Sequence, residues 1–473
     1  MKTHNANPTG RSCMKSSSLP RIIVRKLFLF SLFLITSTTL AWDGHFSLSY
    51  VALKNMPEIA HKATIPAETL TAFLQKERLG LVKLLRENEI WSQQNIPYYP
   101  PVPHDLVFKG DDSKPLKMQF VEAIRINPNL KFPLFVQYPP GEKHRIQGHP
   151  LVKRDVMLPL VTKAGWVYVP NPPLEGLSPG EKVSPLEIIT SASDEPDYGM
   201  DTDLWENNPS WFAKEDHWGK QPFGDPGLLL SSQAPFHMAF YYESPLIYKV
   251  APFLKYSYLE YRLHLYRVLS QYAFQTGHPY WGYRFLGWSI HYAQDLTQPY
   301  HSTAIPNASV IKLITVSLLK QIGYTKPQRN VIRLSSNRHF TLENYTYHLV
   351  KYLLATKQKD NKILQSLADT RQDSHYPAYT DEYPRTIIAK ESHAMADRVD
   401  KEIRKIFPKK YVADPNYVFF ETKTDVDLFK IMQDRHLNKE MDSFNAELAT
   451  LLRAYGAHTR NIVRYVIHGS SRN

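Results

Sequence analysis

The chain has 473 residues, with Lys+Arg 57 against Asp+Glu 45 and a single cysteine. At 43% hydrophobic and 22% charged it is neither a disordered nor a collagen-like chain, and one cysteine excludes an intrachain disulfide framework. The formal charge of +12 points to an anionic partner, either a phospholipid surface or a nucleic acid.

Residues 1–41 read as a secretory signal peptide. Lys2, Arg11, Lys15, Arg21, Arg25 and Lys26 precede an apolar run, Leu27 to Leu40, and no acidic residue occurs before Ala41. The run is shorter than the ~20 apolar residues a membrane span needs, and small residues at Thr39 and Ala41 suit a cleavage site. Cleavage near Ala41 removes six cations and Cys13, leaving 51 basic residues against 45 acidic ones, a net charge of +6. The expected product is a cysteine-free, secreted or periplasmic chain that begins at Trp42. It must be stabilised by its core or by metals.

Beyond the cut, apolar residues recur at three- and four-residue intervals over 45–62, 68–89, 256–274, 281–296, 344–357, 386–406 and 437–467, predicting helices. In the last, Leu437, Met441, Phe444, Leu448, Leu451, Leu452 and Tyr455 form one stripe. Residues 97–187 differ: they hold 16 of the 35 prolines, which excludes long helices there. Short β-like runs, PLFVQY and GWVYVP, sit between Pro/Gly turns. The expected architecture is mainly α: a single helical domain over 42–473 with a Pro-rich, partly irregular or β insertion at 97–187. No internal repeat is present.

The segment GWSIHYAQDLTQPYHST sets His291, Asp295 and His301 at spacings of four and six. His291 and Asp295 lie one helical turn apart and project from one face. Pro299 ends that helix, and a turn can return His301 towards it. RHFTLENYT repeats the arrangement with His339 and Glu343 at i and i+4. SASDEPDYGMDTD supplies Asp194, Asp197, Asp201 and Asp203 in a turn-rich segment, and QAPFHMAFYYE places His237 among apolar neighbours. Taken singly, each has an ordinary structural reading. Together, in a chain without thiolates, imidazoles and carboxylates suit borderline-soft Zn²⁺.

The start WDG followed by His45, then PDY around Asp197, then H-x3-D-x5-H and H-x3-E, resembles the zinc-dependent phospholipases C. The related single-strand-specific secreted nucleases share their helical scaffold and trinuclear zinc centre. The resemblance implies three zinc ions per chain. One would be held by Trp42, through its free N-terminal amine and carbonyl, with His45 and Asp295. A second would be held by Asp197, His237 and His291, with Asp295 bridging the two. The third would be held by His301, His339 and Glu343. Asp194 and Asp201 remain alternatives to Asp197. The chain departs from the family in spacing: Trp42 and His45 are only three apart, while the gaps from Asp197 to His237 and from His301 to His339 are longer than in compact members.

The resemblance implies hydrolysis of a phosphodiester, with Asp197 and Asp295 as the residues closest to the chemistry and Asp197 orienting or deprotonating water. The H-x3-E pair and the WDG start favour phospholipid at a membrane surface, with the glycerol-side bond cleaved. Single-stranded nucleic acid is the second reading, and a catalytically silent binding protein the third. A monomer is expected, and no protein partner is evident.

Overall fold

The computed structural model describes residues 42, 44–142, 152, 174–208, 218–226, 229–419 and 426–470. The expected signal peptide and the GWVYVP run lie outside these residues. Helices dominate, as the periodicity requires, and among the described residues the strands are two short antiparallel pairs. The first joins β1 (Ile65–Pro66) to β4 (Lys182–Val183), and the second joins β2 (Phe135–Gln137) to β3 (Leu174–Gly176).

The element boundaries have local causes. The helix expected over 45–62 stops as α1 (His45–Leu53), and a separate turn, Pro57–Ala60, follows because a proline cannot continue the hydrogen-bond ladder. In α2 (Leu70–Asn95), Thr69 Oγ1 accepts from Ala72 N at 3.2 Å and caps the first turn. In α3 (Pro185–Ala192), Ser184 and Glu187 form a reciprocal capping box with Pro185 in the first turn. The helix expected over 344–357 is the last third of a 30-residue one, α8 (Lys326–Ala355), whose polar first half masks its periodicity.

Helix α5 (Pro279–Leu296) is the centre of the molecule. Every residue from Tyr280 to Leu296 is buried, so it packs on all sides. It lies against α4 (Leu259–Gln275), α3 and α10 (Asn438–Ser470). Gly287 permits the close approach of α3: a Cβ there would sit 2.4 Å from Ala192 Cβ and 2.7 Å from the Ile189 carbonyl oxygen. Two apolar cores flank this axis. One gathers α2, α4 and α5, with Phe73, Leu269, Trp281, Phe285 and Trp288. The other gathers α1, α8, α9 (Lys390–Ile406) and α10, with Val51, Leu349, Ile403, Leu448 and Tyr455.

The described part of the Pro-rich insertion is tied to this frame. Strand β2 brings Gln137 to α3, where its backbone N–H donates to Ser191 Oγ at 2.7 Å.

Candidate metal centre

Three groups of buried His, Asp and Glu side chains come together between the two cores, each arranged as a cation site requires: His45, His291 and Asp295; Asp197, His237 and His291; and His301, His339 and Glu343. Eight of the nine residues singled out in the sequence thus converge from six elements. α1 supplies His45, and a 3₁₀ turn, Glu195–Tyr198, supplies Asp197. The helical turn Ala234–His237 ends in His237, α5 carries His291 and Asp295, α6 (Pro299–Ser302) carries His301, and α8 carries His339 and Glu343.

The ninth residue, Trp42, is also buried. Its indole N–H donates to Thr297 Oγ1 at 3.0 Å, and its ring lies edge-on to Tyr455. The short Trp42–His45 spacing is accommodated by Gly44, whose φ of 80° turns the chain into α1. The Trp42 side chain is thereby held next to the end of α5, two residues past Asp295.

Asp295 connects the first two groups. Its Oδ1 lies 3.1 Å from His45 Nε2, while its Oδ2 lies 2.8 Å from His237 Nδ1 and 3.3 Å from His291 Nε2. Asp197 faces the same space, 3.7 Å from His291 Nε2, 3.8 Å from His45 Nε2 and 4.0 Å from His237 Nδ1. The third group is contiguous with these, because His301 Nδ1 donates to the His237 carbonyl at 2.7 Å. Within it, His301 Nε2 and His339 Nε2 stand 3.1 Å apart, with Glu343 Oε1 2.5 Å from His339 Nε2 and 3.7 Å from His301 Nε2.

The outer hydrogen bonds set which ring nitrogen points inward. His291 Nδ1 donates to the Ser193 carbonyl at 2.7 Å. His45 Nδ1 faces Gln294 Oε1 at 2.7 Å, and the Gln294 amide nitrogen is itself turned to Ser49 and Thr459, so the oxygen must accept. His237 Nε2 donates to Asp201 Oδ2 at 3.2 Å. With the outer nitrogens so engaged, His45 Nε2, His237 Nδ1, His291 Nε2 and His301 Nε2 are the ring nitrogens that face the centre, the ones a bound metal would take as ligands. Four atoms of these side chains, His45 Nε2, Asp197 Oδ1, Asp295 Oδ1 and Glu343 Oε2, are buried and have no hydrogen-bond partner. Buried polar atoms left so are costly unless a cation completes them. The residues therefore fit a metal centre.

Electrostatics reflect the crowding. Burial opposes charge on His45, but Asp295, whose Oδ1 lies 3.1 Å from its Nε2, and the nearby Asp197 and Asp194 raise it to about 9. Burial likewise opposes charge on His237, which Asp201 and Asp295 raise to about 10. Burial dominates at His291, lowered to about 4, and at His339, lowered to about 3. It also raises Asp197 to about 8 and Glu343 to about 7. Asp295 is held well below the carboxylate range: burial works against its charge, but the surrounding histidines outweigh it. The centre thus mixes groups that hold protons at pH 7 with groups that reject them, a contest a divalent cation resolves by displacing protons.

The two alternatives to Asp197 are occupied elsewhere. Asp194 Oδ1 accepts from Phe46 N at 2.8 Å and Oδ2 from Gln137 Nε2 at 3.0 Å, tying α1 and the insertion to the end of α3. Asp201 accepts from Arg262 Nε at 2.8 Å and Tyr292 OH at 2.7 Å in addition to His237. Asp201 orients His237 directly, whereas Asp194 ties down the backbone next to His45. Arg262, Tyr292, Gln294 and Gln298, which donates to Glu343 Oε1 at 2.9 Å, were not anticipated from the sequence. Tyr292 and the two glutamines carried a signal, through their place inside the His291–His301 segment; Arg262 carried none. No family model, no curated protein and no solved structure matches the chain.

Proposed function

We propose that the protein is a zinc-dependent phosphodiesterase, and specifically a phospholipase C acting on the glycerol-side phosphodiester bond of phospholipids. The observation that carries this reading is the contiguity of three buried His/Asp/Glu groups, the first two sharing His291 and bridged by Asp295, the third joined to them through the His301 hydrogen bond to the His237 carbonyl. A lone structural ion needs about four ligands; eight converging side chains serve a multinuclear centre suited to a phosphodiester. Nitrogen and oxygen donors without thiolate suit zinc. The proposed ligands are Trp42, His45 and Asp295; Asp197, His237 and His291 with Asp295 shared; and His301, His339 and Glu343.

Metal held there supplies Lewis acidity, polarising phosphoryl oxygens and acidifying water. The chain's own groups do the rest. Asp295 holds the first two groups in register through both oxygens. Asp197, whose Oδ1 is unpartnered, is assigned as the group that orients water and accepts its proton once bound metal has displaced its own. Asp201, Ser193, Gln294 and the His237 carbonyl fix the imidazoles so that binding energy is not lost to ring rotation.

Phospholipid is favoured over nucleic acid by the His339–Glu343 pairing and the WDG start. The test compares the purified protein on a phosphatidylcholine analogue and on single-stranded nucleic acid, with and without chelator. Chelator-sensitive release of the phosphorylated head group supports the proposal. Hydrolysis of nucleic acid alone replaces it with the nuclease reading, and a chain without bound metal removes both. Expected export after cleavage near Ala41 belongs to the same proposal; among the described residues no helix is long and apolar enough to cross a membrane.

A further inference from the structure

The long interval between His301 and His339 folds into a helical hairpin: α7 (Val310–Gln321), a turn through Gly323, and the first third of α8. We infer that this hairpin docks the protein on an anionic phospholipid bilayer, α7 lying in the interface plane. The inference rests on the phospholipase reading for what the docked protein does, but not for whether it docks.

The first support is apolar exposure. Ile311 is 77% exposed, Leu318 56% and Ile322 79%; at i, i+7 and i+11 they form one stripe along α7 and its end. Tyr324 at the turn is 66% exposed, and Leu246, on the neighbouring turn Pro245–Val250 against which α7 packs, is 52% exposed. These five are close to half of the large exposed hydrophobic residues among those described. The others are dispersed: Leu79 and Ile90 stand on α2 among Lys76, Glu77, Arg78, Glu87 and Glu89. Isolated apolar residues are ordinary, whereas a contiguous patch marks an interaction surface. Val316, on the opposite face, is the buried residue that anchors α7.

The second support is charge, which also selects the occupant. From Leu296 to Leu342 there is no acidic residue, while Lys312, Lys320, Lys326, Arg329 and Arg333 all fall in this stretch; Arg338, also there, is turned inward to Asp400. Lys326, Arg329 and Arg333 recur at three and four residues along one face of α8, with Lys326, Arg329 and Lys312 exposed. An apolar stripe flanked by Lys and Arg is the pattern of an interfacial helix on anionic lipid. A second copy of the same hairpin would set like charges against one another, so self-association is disfavoured. With 12 residues, α7 is about 18 Å long and lies on a bilayer rather than spanning it.

The third support is position. α7 begins nine residues after His301, and α8 continues from the hairpin to His339 and Glu343. The hairpin base is therefore anchored at the third His/Glu group, and a bilayer held by the hairpin is held beside the centre.

The experiment is co-sedimentation of the full mature chain with phosphatidylcholine vesicles containing or lacking phosphatidylserine, metal-loaded and with chelator. Binding should need the anionic lipid and weaken with salt. The apolar variant I311S/L318S/I322S and the charge variant K312E/K326E/R329E should each reduce vesicle partitioning about tenfold or more. Both should leave hydrolysis of a soluble, monomeric phosphodiester substrate unchanged, which also reports intact folding. Loss of activity on both soluble and vesicle substrates in the parent protein, with vesicle binding retained, would refute the phospholipase reading and leave the docking surface standing. Undiminished vesicle binding by both variants overturns the inference. So does a parent protein that ignores vesicles but changes from dimer to monomer in sedimentation velocity when the apolar stripe is replaced.

Discussion

Asp201→Asn isolates the residue that holds His237 from outside the centre. Asp201 is fully buried and receives Arg262, the His237 Nε2 proton and the Tyr292 hydroxyl. An asparagine of the same shape keeps one accepting oxygen, which the buried Arg262 guanidinium claims. Its amide nitrogen then faces His237 Nε2, where a donor meets a donor. The ring relieves this by moving its proton to Nδ1, the atom that lies 2.8 Å from Asp295 and points into the centre. A metal-binding lone pair is thereby replaced by a proton. Loss of such outer partners costs roughly 10–100-fold in metal affinity. Leaving Arg262 without a counter-charge costs about 3–5 kcal/mol of stability, within the margin of a typical domain. The assay is metal content after dialysis against buffered free zinc, beside a denaturant unfolding curve. A variant that is destabilised yet keeps full metal affinity would refute the tautomer argument, and one unchanged in both would refute the network.

Metal analysis of the purified protein should find about three zinc ions per chain, and Asp295→Asn should cost more activity than any other single ligand change. The expected loss is about 10²-fold or more, the rate equivalent of about 3 kcal/mol of lost charge interaction. In chelated protein, His45 at about 9 and His237 at about 10 lie above their ordinary 6.5. Their stabilisation is therefore complete below about pH 6.5 and lost as pH rises through 9 to 10. Melting temperature without metal should fall across that window, and added zinc should restore it. Gly287→Ala should destabilise by about 1–3 kcal/mol in denaturant titration, because its Cβ would meet α3 backbone that cannot retreat without carrying Asp194 and Asp197 with it. N-terminal sequencing of the exported protein should begin at Trp42; any earlier start removes the amine proposed as a ligand.

The helical class and the His291–Asp295 and His339–Glu343 pairs were legible in the sequence. Each depends on residues within a turn or two of helix. Helix limits were less legible. The polar first half of α8 carries no strong periodicity, and its partners, α7 and the Val412 carbonyl and Asp400 that Arg338 reaches, come from elsewhere in the chain. The choice among Asp194, Asp197 and Asp201 was equally closed to sequence, since all three occupy one turn-rich segment. It depends on which carboxylate Arg262 and Gln137 engage, 61 and 57 residues away.

By itself, then, the sequence determined the donor types, their pairing along helices and the scarcity of thiolate, one cysteine in the whole chain, because these are properties of composition and of the 3.6-residue period. Only the tertiary structure decided that His45 meets Asp295 and Gln294 across 249 residues or more. It alone also decided which nitrogen of each imidazole faces inward. Those outcomes follow from burying α5 on every side: once its last turn lies between two cores, every polar atom there must find a partner, and the partners come from distant parts of the chain.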